Sequence, residues 1–306
     1  MRVIVTGGAG FIGSHVAEAF LERGDEVLVV DDLSTGSREN VPERAGFEEV
    51  DIAEQDVLED ALGDGADLVC HLAAQASVTA SVADPVRDCT SNVLGTLNVC
   101  EAARKRGAPV VFASTGGALY GDDAPRPTPE DFVPEPLSPY GASKLAGEAY
   151  VSTWARFHGT PNVVLRLGNV YGPRQSPHGE AGVVAIFSGR LLAGEAPELR
   201  GGGTPTRDYV HVHDVARAFV AAAAAGRAGT FNVGTGQETS TARVYEIIQR
   251  AAGKDLTPRH VELKSGELAA SALDSSRIER ELGWRATIDV EEGLTQTLDW
   301  YRHDRR

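Results

Sequence analysis

Short apolar runs alternate with longer stretches of mixed polarity from the first residues onward. Val3-Ile4-Val5 and Val27-Leu28-Val29-Val30 are unbroken and mostly β-branched, and segments 47–51, 68–72, 110–114 and 163–167 also read as strands. Runs of this kind predict strands buried on both faces. Between them the spacing becomes helical, at 14–23 before Gly24, at 85–106 and at 139–158. Strands and helices that alternate from residue 1 to about 170 predict an α/β fold, a Rossmann-type doubly wound parallel sheet. The alanine run 221–225 reads as helix, and the amphipathic stretches 275–283 and 290–302 read as helices of a smaller C-terminal α/β part.

The first strand runs into Thr6-Gly7-Gly8-Ala9-Gly10-Phe11-Ile12-Gly13 before a helix. Strand, glycine turn and helix together form a dinucleotide cradle, because glycines let backbone N–H groups approach a pyrophosphate at the helix N-terminus. The second strand ends at Asp31, about twenty residues past the glycines, where a carboxylate accepts from both ribose hydroxyls. A 2′-phosphate there would meet like charge, so NAD is expected over NADP. Ligands of such sheets lie at the carboxyl ends of the strands, which places Asp51-Ile52, Leu72-Ala73-Ala74 and Ser114-Thr115 on the rim of the same crevice. Asn92, inside the 85–106 helix, has no role that the pattern alone assigns.

Composition narrows the partners. The chain has 306 residues and a formal charge of -15, which argues against nucleic acid or an anionic membrane surface as a partner. There is no apolar run long enough to span a bilayer, and the N-terminus goes straight into Arg2-Val3-Ile4-Val5 without a signal-peptide pattern. Three cysteines, Cys70, Cys89 and Cys100, lack metal-ligand spacing and fit reduced thiols in a cytoplasmic protein. His211 and His213 read as structural histidines leading into a helix at Asp214, so no metal is expected.

The candidate chemistry sits in Ser138-Pro139-Tyr140-Gly141-Ala142-Ser143-Lys144. Ser138 is a good N-cap and Pro139 a good first helical residue, so Tyr140 falls in the first turn. Lys144, four residues on, shares its helix face. A drop in the phenol pKa from about 10 to near 7 needs about 4 kcal/mol, within reach of one close ammonium plus one cationic cofactor. The pair reads as a proton-transfer couple for a hydroxyl or carbonyl. Tyr and Lys occur at this spacing on many solvated helices, so the weight comes from the cradle upstream.

With the glycine turn, Asp31-Asp32, Asn92, Ser114-Thr115 and Tyr140-x-x-x-Lys144 in order, the chain resembles the extended short-chain dehydrogenase/reductase family along essentially its whole length. Within that family it is most similar to nucleotide-sugar epimerases of the UDP-glucose 4-epimerase type. The resemblance implies a bound NAD contacted by Gly7, Gly10, Phe11, Ile12, Gly13, Asp31, Asp32, Ser34, Thr35, Gly36, Asp51, Ile52, Leu72, Ala73, Ala74, Asn92, Tyr140 and Lys144. It also implies a UDP-sugar held by Ser77, Thr115, Tyr140, Asn169, Arg207, Lys264 and Glu267. Lys264 stands where relatives carry Arg, and Ala269 and Ala270 follow where many carry another Arg, so the diphosphate contacts depart from the usual pattern. The implied division is a cofactor part, 1–169 with about 207–235, and a sugar-nucleotide part, about 170–206 with 236–306. A homodimer through helices 85–106 and 139–158 is expected on the same ground.

Relatives that eliminate water carry an acidic pair after the strand ending near 114, whereas this chain reads Ser114-Thr115-Gly116-Gly117-Ala118. Epimerisation at C4 needs only a base, a hydroxyl partner and a reversible hydride acceptor. Many epimerases place the hydroxyl at the position of Gly116, so the role passes here to Thr115 with Ser114 as auxiliary. The expected reaction is C4 epimerisation of UDP-glucose and UDP-galactose; UDP-N-acetylglucosamine, UDP-glucuronate and a dehydratase or reductase reaction are the alternatives. Segment 174–180 tilts toward a neutral hexose, although Arg174 could meet a substrate carboxylate.

Overall fold

The computed structural model describes residues 1–63, 65–177, 182–263 and 268–303. Its centre is a seven-stranded parallel sheet built from β1 (Arg2–Thr6), β2 (Glu26–Asp31), β3 (Gly46–Glu49), β4 (Leu68–His71), β5 (Val110–Thr115), β6 (Val163–Leu167) and β11 (Gly229–Val233). The spatial order is β11-β6-β5-β4-β1-β2-β3, so the direction of winding reverses between β1 and β4. That reversal opens a crevice at the carboxyl edge, the place where doubly wound sheets bind ligands. The glycine turn after β1 and the loop after β4 form its two lips.

Helices cover both faces because the strands are apolar on both. α1 (Phe11–Glu22) and α8 (Val212–Ala224) lie on one face, over Val3, Val5, Val27, Val111, Leu165 and Phe231. On the other face α2 (Gln55–Leu62), α5 (Gly95–Lys105) and α6 (Pro139–His158) pack on Ile4, Val69, Val110, Phe112 and Val164. Two short helices, α3 (Val78–Ala83) and α4 (Pro85–Cys89), precede α5. The expected helix over 85–106 is continuous but not uniform. Residues Thr90–Leu94 form a π-helical turn between α4 and α5, and Asn92 in that turn is buried. The wider turn lets a polar side chain point inward where regular spacing would direct an apolar one.

A separate apolar core joins α7 (Val183–Ala193), α9 (Thr241–Ala252) and α11 (Val290–His303), with Tyr171, Leu199 and Tyr209. Three two-stranded sheets frame it: β7 (Asn169–Tyr171) with β10 (Tyr209–His211), β9 (Thr206–Arg207) with β12 (Thr239–Ser240), and β8 (Glu198–Arg200) with β13 (Arg259–Val261). α10 (Ser276–Leu282) adds its buried Ile278 to the core that α1 and α8 cover.

Asp214, fully buried in the first turn of α8, ties that helix to the segment leading into α11. It accepts from the backbone N–H groups of Thr287 (2.9 Å) and Ile288 (3.0 Å) and pairs with Arg217, while the Trp284 indole donates to its carbonyl at 2.9 Å. Burial pushes this carboxyl up, but Arg217 and the two N–H groups outweigh it and hold it below the ordinary value. A depressed folded pKa means that the contribution is complete above the unfolded pKa and is lost as pH falls through the folded one. Asp214→Ala is therefore expected to cost about 3 kcal/mol in urea unfolding at neutral pH, with the gap to the parent narrowing as pH falls through the lowered carboxyl pKa. A gap that stays equal over that fall would remove the charge from this account.

Candidate active site

α6 is set in place by its two ends and by one close approach. Ser138 is extended and its Oγ accepts from Gly141 N at 3.1 Å, Pro139 opens the helix, and Gly159 closes it in the left-handed conformation. A Cβ on Gly141 would meet Ala118 O at 2.5 Å, so the helix start lies directly on the turn after β5. That contact brings the first turn of α6, with Tyr140, to the end of β5, and the Tyr140 N–H donates to Ser81 Oγ of α3 at 3.1 Å.

Lys144 is buried one turn further on. Its ammonium donates to Ala113 O at 3.0 Å and lies 4.8 Å above the centre of the Phe112 ring. Burial lowers its pKa to about 8, opposed by the negative charges of Asp88 and Glu148. Tyr140 differs from the sequence expectation. Burial, joined by the Asp88 charge, pushes its phenol up to about 12. In the chain by itself desolvation is the larger effect, so a lowered pKa needs a positive charge close to the phenol.

Ser114 and Thr115 take different positions. Ser114 Oγ donates to Glu148 at 2.5 Å, inside a buried network in which Glu148 pairs with Arg166 at 2.7 Å and Arg166 also donates to Tyr120 Oη at 2.7 Å. The hydroxyl proton of Ser114 is thus committed to the scaffold. Thr115 is half-exposed at the end of β5. Gly116 could not carry a side chain without moving Leu273, since its Cβ would lie 2.5 Å from Leu273 Cδ1.

Asn92 is fully engaged. Its Oδ1 accepts from Gln75 N at 2.8 Å, and its Nδ2 reaches Gln75 O (2.9 Å), Asp88 Oδ1 (3.0 Å) and Ser143 Oγ (3.1 Å). It braces the loop after β4 against the catalytic helix, as structural support. The same loop holds Ala73, Ala74 and Ser77, and Ser77 Oγ caps α3 by accepting from Ala80 N.

His71 has no signal in the sequence beyond its place at a strand end. Thr96 Oγ1 donates to Asn92 O at 2.6 Å and so accepts from His71 Nε2–H at 2.9 Å, which leaves His71 Nδ1 to accept from Thr6 Oγ1 at 2.7 Å. A neutral ring with its proton on Nε2 satisfies every partner in this chain. Burial agrees, holding the imidazole down at about 3. The strut runs from the last residue of β1 to the π-turn, so the cradle and the Tyr140 helix share one frame.

The cradle fits a dinucleotide. Gly7 has φ +72° and a Cβ there would meet Ala73 N at 2.5 Å, while a Cβ on Gly13 would penetrate Gly7 O. Gly10 precedes α1, and Phe11 and Ile12 form its first turn. Asp31 is buried, with Oδ2 accepting from Ala9 N (3.0 Å) and Oδ1 from Leu33 N (2.9 Å), and each oxygen keeps a lone pair to accept from a ribose. Asp32 closes a turn by accepting from Ser34 N and Oγ, and Gly36 lies close to Asp31, where a Cβ would be 2.9 Å from Oδ1. Asp51 accepts from Ala53 N, and Ile52 is buried beneath Gly95.

On the sugar-nucleotide side, Asn169 opens β7 with its Oδ1 facing Gly117. Arg207 donates to the backbone carbonyls of Thr206 (2.7 Å) and Leu268 (2.8 Å), so its fork is held by the 268–270 segment. Lys264 and Glu267 lie outside the described residues. Arg174 does meet a carboxylate, but one of its own chain: it pairs with Glu18 at 2.5 Å and donates to Ser14 Oγ at 3.1 Å.

The sequence profile of the NAD dependent epimerase/dehydratase family matches residues 3–234. The chain belongs to that family. A UDP-glucose 4-epimerase of Mycolicibacterium smegmatis is 43% identical over 310 residues, covering 99% of each chain. A UDP-glucose 4-epimerase of Thermotoga maritima, solved with UDP-glucose, superposes with a TM-score of 0.97 at 43% identity over 99% of each chain. The UDP-glucose 4-epimerase of Thermus thermophilus, solved with NAD, gives 0.93 at 46% identity over 99% of this chain and 100% of that one. The NAD dependent epimerase/dehydratase assignment accounts for both the cradle and the Tyr140–Lys144 helix.

Proposed function

We propose that this chain inverts C4 of UDP-glucose and UDP-galactose, using an NAD that is returned unchanged in each cycle. The observation that carries the reading is the α6 start, with Tyr140 and Lys144, packed on the end of β5 and on a turn, Ser114 to Ala118, that contains no carboxylate. Elimination of water requires an acid and a base at that turn. Support comes also from the UDP-glucose and NAD found in the two solved neighbours.

When bound, NAD supplies the reversible hydride acceptor at C4 and a positive charge that favours the phenolate. Gly7, Gly10 and Gly13 offer the pyrophosphate a close backbone approach, and Asp31 accepts from the ribose. Tyr140 takes the proton from the sugar 4-hydroxyl and gives it back after the 4-keto sugar has turned over. Thr115 hydrogen-bonds the same oxygen. Lys144 keeps a positive charge near the phenol, Asn169, Arg207 and Lys264 hold the diphosphate, and Glu267 meets the uridine ribose. The ammonium at Lys144 is lost as pH rises through about 8, so kcat is expected to fall on the alkaline side of that value. A kcat that stays level from there to pH about 10 would take the ammonium out of the rate.

The reading divides the chain into a cofactor part, 1–169 with about 207–235, and a sugar-nucleotide part; the separate core of α7, α9 and α11 supports the division. A homodimer through the helices 85–106 and 139–158 is supported by exposed apolar side chains on them, Val86 at 75% and Phe157 at 81%. Cys70, Cys89 and Cys100 are all unpaired, which supports a reducing, cytoplasmic setting, and no helix of the described residues is long and apolar enough to cross a membrane.

The test is product analysis with purified chain and no added cofactor, using UDP-galactose, UDP-N-acetylgalactosamine and UDP-glucuronate separately. UDP-glucose is expected from the first, without net cofactor reduction. A 4-keto-6-deoxy product, or stoichiometric reduction of nicotinamide, would replace the proposal with a dehydratase or a dehydrogenase.

A further inference from the structure

Asp88, on α4, is buried to 1% exposure. Its Oδ1 accepts from Gln75 Nε2 at 2.8 Å and Asn92 Nδ2 at 3.0 Å, and Asn92 Nδ2 also reaches Ser143 Oγ at 3.1 Å, between Tyr140 and Lys144 on the catalytic helix. The carboxylate is therefore one hydrogen-bonded residue away from the helix that carries the proton-transfer pair. Two neutral amide donors satisfy its geometry without neutralising its charge.

We propose that Asp88 is a positioning residue of the Tyr140–Lys144 couple, whose hydrogen bonds fix Asn92 and Gln75 against α6 while its buried negative charge acts on both groups. The inference rests on the epimerase reading for its catalytic consequence, not for its electrostatics. The charged and titratable groups that face the couple are Asp88 from α4, Glu148 from α6 and His71 from β4. His71 is neutral, and Glu148 is paired with Arg166 at 2.7 Å, so Asp88 is the negative charge acting on the couple whose described partners are all neutral. The direction is the same at both members of the pair: a nearby negative charge disfavours the phenolate and favours the ammonium. Asp88 thus holds Lys144 protonated against burial and keeps Tyr140 protonated until a positive charge arrives in the crevice.

Asp88→Asn tests this, because the amide keeps an oxygen that can accept from Gln75 and Asn92 and loses only the charge. Both limbs of the pH profile of kcat/KM are expected to move to lower pH by about one unit, with the height at the optimum little changed. Asp88→Ala, which loses the bonds as well, is expected to show the same displacement with a lower maximum. Ser81→Ala provides the contrast: it removes the hydroxyl that meets Tyr140 N and should lower kcat without moving either limb. A carbon NMR titration of the tyrosine ζ-carbons in the holoenzyme, assigned with Tyr140→Phe, reads the Tyr140 ionisation without any substrate. Loss of the epimerase reading would show as a wild-type chain without turnover, and the NMR titration would still decide on Asp88. A Tyr140 titration unchanged in both Asp88 variants overturns the inference.

Discussion

Replacing Tyr140 by Phe is expected to lower kcat by about a thousandfold while the fold, the cofactor content and KM stay near those of the parent. The substitution deletes one oxygen and leaves the ring. The hydrogen bond that places the residue runs from its backbone N–H to Ser81 Oγ, and phenylalanine keeps it. No apolar contact is given up, so the thermal midpoint should hold. What disappears is the group that takes and returns the proton at the 4-hydroxyl, a function Lys144 cannot assume because its ammonium is tied to Ala113 O. Steady-state rates with UDP-galactose, together with the melting curve, separate the two effects. A variant within about tenfold of the parent would remove Tyr140 from the chemistry.

Gly13→Ala should abolish cofactor retention. The added Cβ would penetrate Gly7 O and come within 2.9 Å of Gly8 Cα, and backbone atoms cannot rotate aside as a side chain would. Either α1 moves away from the turn or the turn opens, and both withdraw the N–H groups from the pyrophosphate. Overpacking of this kind costs up to about 3 kcal/mol, and the same loss in binding corresponds to about a hundredfold in affinity. The nucleotide released on denaturing the purified protein gives the reading. Gly10→Ala is the milder control, since its Cβ would stand 3.2 Å from Gly7 O. Full nucleotide content in Gly13→Ala would mean that the turn tolerates a side chain after all.

The sheet, the cradle and the catalytic helix are legible in the sequence because each rests on a local rule: apolar runs for buried strands, glycines at a turn, Ser and Pro at a helix start. The π-helical turn at Thr90–Leu94 is not, since no residue type demands it; it turns Asn92 toward Gln75, a partner seventeen residues away. For the same reason His71 and Asp88 give no signal. A histidine at a strand end and an aspartate in an amphipathic helix look ordinary until Thr6, Thr96, Gln75 and Asn92 surround them. The direction of the Tyr140 shift escapes the sequence because spacing reports neighbours and not desolvation, and in this chain desolvation is the larger effect. Ser114 is hidden for a related reason, because its partner Glu148 lies thirty-four residues away on the buried side of α6.

The order of strands along the chain also has a consequence during synthesis. The strand that finishes the sheet, Gly229–Val233, is made long after Val163–Leu167, its only neighbour in the sheet. As the chain leaves the ribosome, the cofactor-binding part can assemble as far as Val163–Leu167, but that strand must then wait with an open row of N–H and C=O groups. Tyr120 waits too, since the Asn232 side-chain Oδ1 that accepts from its hydroxyl at 3.0 Å arrives on the same late strand. Until residue 233 emerges the nascent protein therefore carries an unpaired apolar edge, and the interval spent translating residues 168–228 is its most exposed period for mispairing with another chain.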